Sequence, residues 1–566
     1  MSKDRHGKGG RSLQGTGSTL ALTAVLMASV VTGLLVFVCM VLPERAPAWD
    51  EAAHALQGAL IAHDLRTLDP MGFLFDTYRQ VWWPPLHSWL LGGAFLVAGE
   101  SLEVARGVSV LALVLLAPTL FLIGRTVEPR HGILAGSVAA ALALTSPGLL
   151  LFAAQSMLEL PGLLAIAATM LAYCALKRDP GAPARAHALL GVGTVLAYLV
   201  KTNYGILLVL AIVVSKLIAV DFRVRRLATR QNLYAALPLA IFCLVWFAYP
   251  PKIVSTWNAL VNQPSPGEVQ ERAGLWFYPR AIAAFSGSWW MSALLWGGLA
   301  TAWKSRDKPG VVFLVVLSVS LLGIGTIHPT KAARHILPVL PALFVLAGVA
   351  AAELWGWLRT RGRSIRIAAI GLVACLAALH SATLARRDWF PTESRHMNDV
   401  LAYVSGLSHE NGPVLVIGTM GTSPAPPVID WHLAAVENLL PVTAGGAAMD
   451  PRRERRLAHT IHGAPVPELL RLSARRVLGR YDAPSAMRSL HAGDRFAEDA
   501  ARFGAVLQET LDADPPRSIL TVIGTSDTTK YPASFVAPGL ARGGFREVSV
   551  REFPSAGASV HVYRRP

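Results

Sequence analysis

Ionisable side chains appear at only a few points of an otherwise apolar chain. The first is Ala48-Trp49-Asp50-Glu51-Ala52-Ala53-His54. Two adjacent carboxylates sit where a long apolar block ends, and a histidine follows four residues after Asp50, on the same face of any helix formed there. Asp50 suits two roles: a cap for the Ala-rich helix that follows, or a base that takes a proton from a hydroxyl. Ionised groups at a membrane surface are costly and usually face a cavity or a partner. The chemistry this arrangement could support is acid–base work on a substrate held at the bilayer.

Four further stretches carry chemistry-bearing residues. Tyr78-Arg79-Gln80-Val81-Trp82-Trp83-Pro84-Pro85-Leu86-His87 joins interfacial aromatics to a rigid double proline. It reads as an aromatic belt around a turn, or as stacking faces for a sugar or lipid, with Arg79 and Trp83 as substrate contacts. Gln155-Ser156-Met157-Leu158-Glu159-Leu160-Pro161 puts one carboxylate in a tight turn among apolar neighbours, which points Glu159 into a pocket. Lys201-Thr202-Asn203-Tyr204-Gly205 sets a cation between two apolar blocks, either snorkelling to the interface or binding phosphate as a point charge. His328-Pro329-Thr330-Lys331-Ala332-Ala333-Arg334-His335-Ile336-Leu337-Pro338 gathers four groups able to carry positive charge, a set suited to an anion. Gly418-Thr419-Met420-Gly421 lacks the spacing of a dinucleotide loop and reads as a turn.

The elements that must position these residues follow from composition. The 566-residue chain is 53% hydrophobic and only 16% charged, where soluble domains carry about 25% charge. The apolar residues lie in blocks long enough to cross a bilayer at 1.5 Å per residue. Spans are expected near 19–42, 104–124, 132–149, 160–176, 187–200, 204–220, 232–249, 284–303, 311–327, 335–355 and 367–384. The block 86–98 is short for a span and is expected to lie along the surface or re-enter. The net charge of +16 does not indicate nucleic acid, because the basic residues cluster in short loops: Lys177 and Arg178, Arg223 to Arg230, Lys304 to Lys308, Arg359 to Arg366. That is the positive-inside pattern of a multi-span protein. With those loops inside, residues 43–103, the Ser156–Pro161 turn, Lys201–Tyr204, 250–283 and 328–334 fall outside. The cation cluster at 328–335 then runs against the topology signal, which favours a ligand for it.

Residues 1–18 read as a disordered cytoplasmic N-terminus, and 19–384 as the membrane domain with 43–103 as its first external loop. Composition changes near residue 385, where charge, proline and glycine rise. Val414–Gly418 and Ser518–Gly524 read as buried strands, Glu393–Leu407 as a helix, and Glu547–Phe553 and Ser559–Tyr563 as closing strands. Residues 385–566 are therefore expected to form a soluble α/β domain on the outer face. Cys39, Cys174, Cys243 and Cys375 all lie in apolar blocks, none at metal-ligand spacing.

In this order, the motifs resemble the GT-C membrane glycosyltransferases of family 39 and their relatives. That group includes the protein O-mannosyltransferases and the bacterial transferase that adds aminoarabinose to lipid A. The resemblance covers roughly residues 19–384. It rests on Trp49-Asp50-Glu51, Trp83-Pro84-Pro85-Leu86, Glu159, Lys201-Thr202-Asn203, Trp276-Phe277-Tyr278-Pro279 and Arg334-His335-Ile336-Leu337-Pro338. It implies a GT-C-like polytopic α-helical membrane protein of about 11–13 transmembrane helices in a bacterial cytoplasmic membrane, while the C-terminal α/β extracytoplasmic domain is read from composition and loop charge. It also implies an inverting transfer of a sugar from a polyprenyl-phosphate donor to a hydroxyl of a lipid, glycan or protein acceptor. Asp50 would be the base, and Glu159 would orient the acceptor or a divalent metal ion, with Asp50 and Glu159 as candidate metal ligands. Lys201, Lys331 and Arg334 would hold the departing phosphate. Glu51, His54, Arg79, Trp83, Tyr204, His328 and His335 complete the expected substrate contacts. In the aminoarabinose branch a lysine precedes the Pro-Pro pair; here Trp82 and Trp83 stand there. Two other classes compete: a transporter or flippase for a lipid-linked or anionic substrate, and a scaffold displaying the C-terminal domain. Paired repeats with broken helices, expected of a transporter, are not seen in the sequence, and a scaffold leaves the outer-face charges unexplained.

Overall fold

The computed structural model describes residues 8–78, 80, 83–248, 252–253, 256–257, 274–327, 331–390, 392–411, 414–418, 460–462, 518–524 and 540–566. Each apolar block of the sequence is helical. In chain order the helices are α1 (Lys8–Val36), α2 (Trp49–Arg66), α3 (Pro70–Tyr78), α4 (Leu86–Ala98), α5 (Leu102–Val127), α6 (Gly132–Thr145), α7 (Pro147–Ala153), α8 (Glu159–Arg178) and α9 (Ala184–Val200). They continue as α10 (Thr202–Ala219), α11 (Arg230–Trp246), α12 (Phe277–Ser286), α13 (Trp289–Ala302), α14 (Val311–Ile327), α15 (Leu340–Arg359), α16 (Arg363–Ala385) and α17 (Thr392–Asn411). Helix α1 starts at Lys8, ahead of its apolar block, and runs into a π turn at Phe37–Val41.

Six of these helices are long and apolar enough to cross a membrane, and a seventh crosses if α6 and α7 count as one bent span. The bend is 59°, and its cause is local. Ser146 Oγ accepts the N–H of Leu149, capping α7, and Pro147, which has no N–H to give to the preceding turn, opens that helix. Helices α9, α11 and α14 are 17 residues each, about 26 Å at 1.5 Å per residue, marginal for a hydrocarbon core of about 30 Å. The block 86–98 is α4, a 13-residue helix packed on α2. A Cβ on Gly58 of α2 would stand 2.5 Å from Leu91, and one on Gly92 of α4 would stand 2.6 Å from Ile61.

Helix α5 is central, packed on α1, α6 and α8. Without a hydrophobic drive between helices in lipid, close approach depends on small residues. A Cβ on Gly136 of α6 would lie 2.3 Å from the carbonyl oxygen of Phe121 in α5, so only glycine allows this crossing.

The C-terminal residues form the expected α/β sheet. Strands β1 (Val414–Gly418), β2 (Thr460–His462), β3 (Ser518–Gly524), β4 (Arg546–Phe553) and β5 (Ala558–Arg564) lie in the order β2-β1-β3-β5-β4. The first three are parallel, with Val416 opposite Leu520, and β5 runs antiparallel to both β3 and β4. Strand β2 was not anticipated from sequence. Strand β5 alternates buried and half-buried residues until its end, as a strand covered on one face should. Met397, Val400, Leu401 and Val404 of α17 and Val560 and Val562 of β5 share one apolar cluster with Ala52, Ala55 and Ala59 of α2 and Leu91 and Phe95 of α4. Asn398 Nδ2 also donates to Glu44 at 3.2 Å. The sheet domain therefore sits at the α2–α4 end of the bundle, the end that carries Asp50.

Replacing Gly136 with leucine should separate α5 from α6. Overpacking of this kind costs about 1–3 kcal/mol, read as a lower melting temperature of the detergent-solubilised protein. An unchanged melt would show that the two helices do not need this contact.

Candidate active site

Helix α2 starts at Trp49, with Ala48 ahead of it. Asp50 is therefore not its cap. Glu51, on the first turn, reaches back instead, its Oε2 accepting the Ala48 N–H at 2.9 Å. Glu51 is fully buried. Its carboxylate also accepts from Arg45 at 3.1 Å, from Arg106 at 3.0 Å and from the Ser156 N–H at 3.0 Å. Glu51, expected as a substrate contact, has its oxygens engaged by four protein donors from three stretches of the chain. Burial alone would raise its pKa, but the guanidiniums of Arg106 and Arg45 overcome that and lower it to about 2. Arg45 in turn donates to the Ala154 carbonyl at 2.5 Å and lies 3.9 Å over the Phe390 ring.

This cluster fixes two acid–cation pairs. Asp50 Oδ2 accepts from Arg334 Nη1, joining α2 to the 331–339 stretch, 284 residues away in sequence. Glu159 Oε1 accepts from Lys201 Nζ at 2.9 Å, joining the start of α8 to the α9–α10 junction. Glu159 is 1% exposed and Lys201 17%, while Asp50 and Arg334 retain 14% and 27%. The pairs are buried at the back and reachable at the front. Lys201 Nζ also stands 5.3 Å from the Tyr204 ring, and that ring packs on Gly162, where a Cβ would stand 2.5 Å away. Lys331 and His335, both half-buried, flank Arg334 on the same stretch.

His54 completes the expected group. It is buried, with its ring 4.6 Å from Trp83 and 5.2 Å from His87, both edge-on. Burial lowers its pKa to about 3, while the charges of Glu159, Lys201 and Arg334 act on it from nearby. Burial pushes His87 well below the usual histidine range too. The structure thus brings Asp50, His54, Trp83, Glu159, Lys201, Tyr204 and Arg334 to one place. Arg79 and His328 lie outside the described residues.

Four participants were missed from sequence. Arg106 carried a signal, a charge within an apolar span. His87 ends the Trp-Trp-Pro-Pro stretch. Arg45 has nothing in its local sequence to mark it. Lys252, buried, donates to the Gln80 carbonyl at 2.8 Å and sits 4.4 Å over the Trp246 ring. Desolvation lowers its pKa to about 7. By holding Gln80, it anchors the chain just before Trp83.

A divalent metal fits this arrangement poorly. Asp50 and Glu159 each already face a cation. No group of three His, Cys, Asp or Glu among the described residues could hold an ion.

No protein-family model and no curated relative matches the sequence. Solved structures do resemble the fold. ArnT from Cupriavidus metallidurans bound to undecaprenyl phosphate aligns at a TM-score of 0.51 and 14% identity, covering 95% of this chain and 98% of that one. The archaeal oligosaccharyltransferase AglB from Archaeoglobus fulgidus, in complex with an inhibitory peptide and a dolichol-phosphate, aligns at 0.53 and 11%, covering 97% and 74%. The Archaeoglobus fulgidus oligosaccharyltransferase in complex with Zn and sulfate aligns at 0.55 and 10%, covering 91% and 69%. The fold is therefore that of the GT-C membrane glycosyltransferases, as the order of motifs implied.

Glu51→Gln should leave Arg45 and Arg106 buried without a counter-charge, which costs about 3–5 kcal/mol. A large fall in melting temperature is expected for this variant and a small one for Asp50→Asn; equal effects would deny Glu51 its framing role. A second expectation concerns acid. His54 is uncharged when folded down to about pH 3 but takes a proton near pH 6.5 when unfolded. The unfolded chain therefore binds more protons in that window, and stability falls as pH drops from about 6.5 toward 3. His54→Gln should reduce the loss of melting temperature between pH 7 and pH 5, and an unaltered slope would contradict this.

Proposed function

We propose that the protein is a glycosyltransferase of the membrane, moving a sugar with inversion from a polyprenyl-phosphate donor to an acceptor hydroxyl at the outer face of a bacterial cytoplasmic membrane. The observation that carries this reading is the convergence of Asp50–Arg334 and Glu159–Lys201 from four distant segments, within a GT-C fold. ArnT and AglB, which share that fold, were solved with a polyprenyl or dolichol phosphate bound, and a lipid phosphate suits the cations gathered here.

The acceptor oxygen attacks the anomeric carbon of the sugar as the bond from that carbon to the phosphate oxygen breaks. The acceptor proton passes to Asp50, and the bonding electrons leave with the lipid phosphate, which changes from a diester to a monoester. Charge grows on the leaving oxygen, so cations fixed beforehand lower the barrier. Lys201, Arg334 and Lys331 supply them. In the resting pair Arg334 occupies the Asp50 oxygen that would take the proton. On this reading donor phosphate draws the guanidinium away and frees the base. Glu159 holds Lys201 in place and orients the acceptor. Domain limits of 19–384 and 385–566, with the sheet domain extracytoplasmic, belong to the same proposal.

The test is transfer by the purified protein from a polyprenyl-phosphate sugar, without nucleotide. Asp50→Asn should cut turnover about 10²–10⁴-fold, the usual cost of losing a general base, and Arg334→Ala should weaken donor use. Robust transfer from a nucleotide sugar without lipid donor, or near-normal turnover by Asp50→Asn, would refute it.

A further inference from the structure

Helices α8 and α10 begin at the site, at Glu159 and beside Lys201, and carry basic residues in their last turns: Lys177 and Arg178 on α8, Lys216 on α10. Helix α8 is 20 residues long, about 30 Å, so these charges lie at the far surface of the bundle. Lys177 is exposed and Lys216 half-buried, so both can be reached. Lys177 Nζ stands 5.8 Å from the centre of the Tyr173 ring, and Tyr173 lies beside Ser215, the neighbour of Lys216. The two ammonium groups are close enough for one charge to act on the other. Lys216 Nζ donates to the side-chain oxygen of Asn232, a neutral group at the start of α11. Asp179, just past Lys177, turns back to the Gly181 N–H at 3.1 Å, and among the described residues no carboxylate pairs with either lysine. Lys308, at the same end of the bundle, is answered differently: it pairs with Glu128 and, at 2.6 Å, with Glu353.

Either lysine alone would be an ordinary helix-end charge, its stem covered and its head in water. Two that converge are not, because like charges held together without a counter-ion are destabilising. An anion between them removes that repulsion. The connection from α10 to α11 shows what kind of anion. Arg223, Arg225 and Arg226 lie on it, all exposed. Asp221 and Phe222 both take positive φ, 52° and 59°, a left-handed conformation that a bulky residue such as phenylalanine rarely adopts. The turn is nevertheless fixed: Asn232 Nδ2 donates to the Leu227 carbonyl at 2.7 Å, and the Phe222 N–H to the Leu217 carbonyl at 2.8 Å. It leaves Phe222 and Val224 67% and 68% exposed among the arginines, just beyond the last apolar turn of α10. Apolar side chains set among cations at the end of a span belong in the headgroup layer of a bilayer, whereas a small soluble ion offers Phe222 and Val224 no contact. We infer that Lys177, Lys216 and the turn at 223–226 form a site for the phosphate of an anionic phospholipid, in the leaflet on the opposite side of the membrane from Asp50. The bound lipid bridges the far ends of the two helices that present Glu159 and Lys201.

This site does not depend on the proposed reaction, and binding alone tests it. The purified full-length protein in detergent is titrated with phosphatidylglycerol, with phosphatidylcholine and with soluble glycerol phosphate, and bound lipid is counted by native mass spectrometry. The wild type should hold phosphatidylglycerol, and neither of the others should displace it at equal concentration. Lys177→Gln should weaken binding about fivefold, and adding Lys216→Gln should weaken it by a similar factor again, each factor equivalent to about 1 kcal/mol. Lys177 is exposed, so its single variant decides the matter if the double variant does not fold. Lys304→Gln with Arg359→Gln, which removes the same charge from two other loops of that surface, should leave binding unchanged. Undiminished binding by Lys177→Gln, an equal loss in the Lys304→Gln and Arg359→Gln control, or equal binding of phosphatidylcholine would each overturn the inference. Displacement by glycerol phosphate would overturn the lipid assignment in favour of a soluble anion.

Discussion

The buried carboxylate of Glu51 ties three stretches of the chain to one point. Arg45 and the Ala48 N–H fold the stretch after α1 back onto the start of α2, Arg106 brings in α5, and the Ser156 N–H fixes the turn before α8. A carboxylate this deep is tolerated only because donors surround it; removing any one of them leaves charge in a place where water cannot reach. The cost of the arrangement is also its use. A hydrophobic contact of the same size could slip by a few tenths of an ångström, whereas two guanidiniums on one carboxylate set direction as well as distance.

Asp50 and Glu159 depend on that frame. Asp50 is covalently next to Glu51, and Glu159 lies three residues after Ser156, so anchoring Glu51 orients both acids. Their cations arrive independently, Arg334 from the stretch before α15 and Lys201 from the α9–α10 junction. The result is a site with near-balanced charge at rest and low water access at its back. On the proposed reading, an entering phosphate competes with Asp50 and Glu159 for these cations, which would couple donor binding to release of the base. The glycines that let α5 approach α6, and Tyr204 approach Gly162, serve the same end by bringing backbone and ring close enough for these side chains to meet.

Much of this was legible in the sequence, for reasons that also explain what was not. The apolar blocks gave the helices because a bilayer imposes a length and excludes charge. The acids, Lys201 and Arg334 stood out because they interrupt that pattern. Their pairing was not legible, since nothing local links residue 50 to residue 334. The division between Asp50 and Glu51 was also hidden. Two adjacent carboxylates look alike in sequence, and only the path of α2 turns one toward the bundle and the other toward the opening. Arg45 and Lys252 were passed over because basic residues in loops are ordinary. His54 and His87 meet only because α2 and α4 pack through Gly58 and Gly92. The closing strands were legible from their β-rich composition, while β2, three residues long, was too short to leave a pattern.

The central claim is that the paired acids and cations form the seat of a lipid-linked phosphate. The most direct measurement is a cryo-electron microscopy map of the protein in nanodiscs with polyprenyl phosphate added. Phosphate density is expected within hydrogen-bonding distance of Lys201 and Arg334, with the Arg334–Asp50 contact opened and the Glu51 cluster unchanged. Phosphate density confined to the basic loops at Arg223–Arg230 or Arg359–Arg366, with Asp50 still closed on Arg334, would contradict it.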